Sequence, residues 1–173
     1  MKLYKYLFVL LFVFACAPIH VNYDYDKQTN FTEYKTYNYY SDLETGLSEL
    51  DTKRLLDILD VKMKTMGFSL SEAPSFFINI QSSTYENIQN STVGVGVGGG
   101  DRNVGGGVSI GLPIGQAKIN RQIVIDFVDE NGKGLFWQAV SESAINPNAS
   151  PKKREEQFTA IVDKVFSKYP PTN

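Results

Sequence analysis

The run Ile123-Val124-Ile125-Asp126-Phe127-Val128-Asp129-Glu130-Asn131-Gly132-Lys133-Gly134-Leu135-Phe136-Trp137 decides the fold. Ile119, Ile123, Ile125 and Phe127 recur with the two-residue period of a half-buried strand and share its inward face. Asn131-Gly132 predicts a type I′ turn, whose two central residues both need φ > 0. Leu135 to Ile145 then predicts the returning strand, with Trp137 facing the core by default.

Two stretches have the right pattern to cover the inward face. Ser48 predicts an N-cap for a helix running to Met66, with Leu55, Ile58, Leu59, Met63 and Met66 as its apolar stripe. Gly67 fits the position after the helix, where φ > 0 is needed. Ser150 predicts a second N-cap and Pro151 the first helical position. Phe158, Ile161, Val162, Val165, Phe166 and Tyr169 form the second stripe, which Pro170-Pro171 ends.

Further strands are predicted from alternation at Ile19 to Tyr25, from Tyr34 to Tyr40, and over Phe76 to Glu86. The fold class is therefore α+β. Two amphipathic helices pack on one face of a mostly antiparallel sheet in a two-layer domain.

The chain has 173 residues, 42% hydrophobic and 21% charged, which suits a single domain. A net charge of −2 gives no reason to expect nucleic acid or an anionic membrane surface as partner. One cysteine and one histidine exclude a disulfide framework and a Cys/His zinc cluster.

Lys2 and Lys5 precede an apolar run from Leu7 to Ala15, which spans only about 14 Å as a helix, half of a bilayer core. Residues 1–15 thus predict a signal peptide and 16–173 the mature domain. Val13-Phe14-Ala15-Cys16 resembles the lipobox of bacterial lipoproteins. That resemblance implies cleavage before Cys16 and lipidation of its sulfur. Two or three acyl chains hold where one holds marginally. Ala17 after the cysteine is not the aspartate of inner-membrane retention, and no acidic export signal follows. The periplasmic leaflet of the outer membrane is expected rather than the cell surface.

Ten of the fourteen glycines lie between Gly94 and Gly115. Gly94-Val95-Gly96-Val97-Gly98-Gly99 matches a dinucleotide-binding pattern, but no helix follows to hold a pyrophosphate. Period two accounts for the tract better. Val93, Val95 and Val97 share one face of an extended segment, and Val108, Ile110 and Leu112 share one face of the next. A glycine-rich hairpin over about 93–115 would present them as an apolar interaction strip for self-association or an envelope partner. A low-complexity loop is the other reading.

No catalytic residue, cofactor or metal is expected. Tyrosines between Tyr23 and Tyr40 read as cross-strand pairs before they read as a sugar-stacking platform. Asp24/Asp26 and Asp126/Asp129/Glu130 lack the pattern of a calcium loop. An acid-pair hydrolase of wall glycans and a carrier of a small apolar ligand stand as alternatives to a non-enzymatic binding module.

Several blocks, in order, resemble the bacterial lipoprotein family called domain of unknown function 4136. They are Val21 to Asp26, Phe31 to Tyr37, Lys64 to Phe68, Pro74 to Ile78, a glycine-rich middle, Ile123 to Asp129, Leu135 to Trp137, and Tyr169-Pro170-Pro171. The resemblance implies an envelope lipoprotein and carries over no catalytic residues.

Overall fold

The computed structural model describes residues 18–87, 92–94, 111–113 and 118–171. In chain order the elements are β1 (His20–Tyr25), β2 (Thr36–Tyr39), α1 (Glu49–Thr65), β3 (Ser69–Leu70), β4 (Phe76–Asn87), β5 (Thr92–Gly94), β6 (Gly111–Pro113), β7 (Lys118–Asp129), β8 (Gly134–Ala144) and α2 (Pro151–Val165). A 3₁₀ turn, Phe166–Lys168, ends the last helix. Six strands form one sheet in the order β1-β8-β7-β4-β2-β3, and β5 and β6 make a separate two-stranded ladder. The fold is α+β, with two helices and a mostly antiparallel sheet.

Antiparallel pairing runs from β1 through β8 and β7 to β4. At β2 the sheet turns parallel, because α1 carries the chain over between β2 and β4 so that both point the same way. β3 adds two residues, parallel to β2, at that edge.

Both helices begin at their expected caps. The Ser48 side chain accepts from the Asp51 amide, and the Ser150 side chain accepts from the Lys153 amide. α1 closes on Met66, with Gly67 following at φ +88°. Leu55, Leu59 and Met63 are wholly buried, while Ile58 and Met66 pack at the margin. Salt bridges join Asp51 to Arg154 near the two helix starts and Lys62 to Asp163 near the two ends. The helices therefore lie side by side and parallel.

One expectation is corrected in the β7–β8 hairpin. The connection is a four-residue loop between paired Asp129 and Gly134, and the positive φ, +72°, falls on Gly134. Asn131-Gly132 is thus not a type I′ turn. Asp129 builds the loop instead: its Oδ1 accepts from the Asn131 amide at 3.1 Å. A Cβ at Gly132 would lie 2.6 Å from Asp129 Oδ2, so a larger residue there would displace that carboxylate.

Strand alternation also breaks. Phe127 pairs with Trp137 but Val128 pairs with Leu135, so Phe136 is one extra residue in β8. This bulge turns two consecutive side chains inward, and Phe136 and Trp137 are each 1% exposed. Around them Tyr34 stacks on Phe136 at 4.1 Å, Phe127 meets Trp137 at 4.6 Å, and Trp137 stacks on Phe166 at 5.6 Å. Aromatic packing of this kind adds to plain area burial.

Candidate functional site

Register places the strand ends that lead to the chain's two unusual segments at one end of the sheet. His20 opens β1 opposite Glu142, and Glu142 lies opposite Gln122. Asn87 and Lys118 pair at the same end, where β4 leaves for the glycine tract and β7 returns from it. Since α2 follows β8 and runs beside α1, both helix starts also lie at this end. Cys16 lies outside the described residues, four positions before His20. Val95, Val97, Val108 and Ile110 also lie outside them. Val93 and Leu112 are paired in the antiparallel β5–β6 ladder.

A buried ionic cluster sits at the helix starts. Asp51, 2% exposed, accepts from Arg54 Nη1 at 2.8 Å through one oxygen and from Arg154 Nη1 at 2.7 Å through the other. Parallel helices bring two positive dipole ends together, and a carboxylate between them offsets that field. Arg154 is held further by Nε donating to the Ala149 carbonyl and Nη2 donating to the Pro147 carbonyl. Arg121 comes from β7. Its guanidinium lies over the Phe158 ring at 6.0 Å, and its Nε is buried with no hydrogen-bond partner among the described residues. A cavity of about 110 Å³ opens between Arg121 and Arg154, beside Asn146, Gln157 and Phe158. The sequence reading missed this cluster. Asp51 and Arg154 are 103 positions apart, and neither stands in a motif.

The tyrosines serve packing. Tyr37 and Tyr39 both donate to Asp60 Oδ1 at 2.8 Å, clamping α1 on β2. Burial, then the bond to Asp60, raises both phenol pKa values. Tyr34 donates to Asp129 Oδ2 at 3.0 Å, and burial with that bond pushes its phenol up to about 12. Tyr23 donates to the Lys164 carbonyl.

The acids are structural in the same way. Asp26 accepts from the Gln28 amide and the Thr29 hydroxyl, and these bonds, with Lys133 nearby, hold its carboxyl below the usual range. Asp126 accepts from Gln138 at 2.8 Å. Among the described residues no three His, Cys, Asp or Glu side chains gather as metal ligands.

The fold has solved relatives. A PDZ domain protein from Parabacteroides distasonis superposes with a TM-score of 0.55 at 16% identity, over 91% of this chain and 36% of that one. This chain therefore spans about a third of that protein's length. PelC from Paraburkholderia phytofirmans, a dodecamer seen in two crystal forms, superposes with a TM-score of 0.50 at 8% and 9% identity. Those matches cover 87% of this chain and 95% and 96% of PelC. At such identities the likeness is one of fold. No curated protein matches the sequence significantly. A family model, Domain of unknown function (DUF4136), matches residues 21–171, nearly the whole described domain, and the chain belongs to that family.

Proposed function

We propose that this protein is a lipoprotein of the bacterial cell envelope that is anchored through Cys16 and works by binding rather than by catalysis. The observation that carries this reading is that the start of β1 and the ends of β4 and β7 that flank the glycine tract lie at one end of the sheet. Four residues from Cys16 to His20 reach about 14 Å when extended. A domain tethered so closely keeps that end against the bilayer, and the tract with it. The apolar strip then meets either an envelope protein or a second copy of the chain. A shared fold with the dodecameric PelC makes self-association the first case to examine. The periplasmic leaflet of the outer membrane is the proposed location.

One feature favours binding over the carrier alternative. A small-ligand carrier needs space between helices and sheet, where Leu55, Leu59, Ile78, Ile125 and Trp137 are at most 1% exposed. Among the described residues no helix is long and apolar enough to cross a membrane. Cys16→Ser should abolish lipid labelling and leave the protein either released from the detergent-soluble membrane fraction or unprocessed. A variant that still fractionates fully with membrane and carries label would overturn the anchor.

A further inference from the structure

We propose that the cavity between Arg121 and Arg154 binds a phosphate-type oxyanion. Three guanidinium groups, Arg54, Arg121 and Arg154, share this region with Asp51, whose two oxygens are already taken by Arg54 and Arg154. Arg121 is left with a buried Nε that no described residue accepts from, and it sits close enough to Arg154 to be repelled by it. Burial lowers the Arg121 pKa and Arg154 adds to that effect, with Asp51 opposing. An arginine nevertheless stays charged at neutral pH. The chain's net charge is −2, but the field inside a small cleft follows from its own walls.

Geometry supports the same ligand class. At about 110 Å³ the cavity has space for several waters, enough for a tetrahedral oxyanion. Arg154 is fixed by three hydrogen bonds from three different nitrogens, yet a guanidinium carries five N–H groups, so two remain to donate. A donor held in place this way loses little freedom when an anion arrives. Asn146 adds an amide to the wall, whereas Gln157 Nε2 already donates to Ser143 Oγ and the Ala144 carbonyl, and Phe158 gives the Arg121 plane a surface to lie on.

The phosphate could be free or could be the headgroup of an anionic phospholipid. The second source rests on the proposed anchor, which sets this end of the domain at the bilayer; the cavity itself needs only the folded domain. The test uses the full-length processed protein in neutral detergent. Calorimetric titration at constant ionic strength compares inorganic phosphate, dihexanoyl phosphatidylglycerol and dihexanoyl phosphatidylcholine. Saturable binding of at least one anionic probe is expected, with Arg121→Gln weakening it about tenfold. Lys152→Gln removes one charge from a side chain 86% exposed outside the cavity, and should change binding less than about twofold. Tighter binding of phosphatidylglycerol than of phosphate assigns the site to a lipid headgroup, and the reverse order assigns it to free phosphate. If Arg121→Gln does not fold, Arg121→Lys takes its place and should weaken binding by a smaller but measurable factor. No saturable binding of either anionic probe up to about 10 mM would overturn the site. Equal loss in the Arg121 and Lys152 variants would also overturn it. A positive phosphate titration beside a Cys16→Ser protein that stays fully membrane-bound and still carries lipid label would sink the anchor and leave the site standing.

Discussion

Replacing Asp51 by asparagine keeps the shape of the side chain and deletes the charge that joins the two helix starts. The carboxylate is 3% exposed and pairs with Arg54 at 2.8 Å and Arg154 at 2.7 Å. Breaking a buried ion pair by removing one partner costs about 3–5 kcal/mol, because a desolvated charge is left unpaired. Here the two arginines are 24% and 28% exposed, so water recovers part of that cost and about 3 kcal/mol is expected. In a domain of this size each kcal/mol moves Tm by roughly 2–4 °C, which gives a fall of about 6–12 °C. Asp51 also lies in the first turn of α1, where the helix dipole adds about 0.3–1 kcal/mol of its own. A double-mutant cycle with Arg154→Met separates the two contributions, since only the interhelix pair gives a coupling energy. Urea denaturation of the four proteins should show a coupling of at least about 1 kcal/mol. A coupling below about 0.5 kcal/mol would mean that the pair behaves as a surface salt bridge and that the helices are held by apolar contacts alone.

Other perturbations test other parts of the molecule. Phe158, 2% exposed, should cost about 3–5 kcal/mol when cut to alanine, measured by urea denaturation; a loss under about 1.5 kcal/mol would show that the layer repacks around the gap. Removing Gly98 to Gly106 should cost much less, and an equal loss would make the tract integral to the fold. Tyr34 keeps its proton in the folded state to about pH 12 against about 10 for a free phenol. Its contribution to stability is thus whole below pH 10 and lost as pH rises through 12, so Tyr34→Phe should flatten the fall in Tm across that window; an unchanged fall would assign the alkaline sensitivity to other groups. Val95→Lys combined with Ile110→Lys should leave circular dichroism unchanged and reduce cross-linked species in membranes. Unchanged cross-linking in a folded variant would remove the strip as a partner surface.

Much of the architecture was legible locally. The N-caps Ser48 and Ser150, the helix stripes and the inward faces of β4 and β7 follow from rules that act within a few residues, because a cap or a strand face is set by near neighbours in the chain. The blocks that identify the family could likewise be read in order. Tertiary structure alone decided the rest. The parallel β2–β4 pairing depends on where α1 packs, and the loop at Asp129 depends on its carboxylate outcompeting an Asn-Gly turn that local preference favours. The bulge at Phe136 exists because a core this aromatic gains more from two inward rings than it loses from one interrupted ladder position. Asp51, Arg121 and Arg154 stand in no sequence motif. They become a buried cluster only because two parallel helices and a strand end converge there, and distances set by packing leave no periodic trace in the chain.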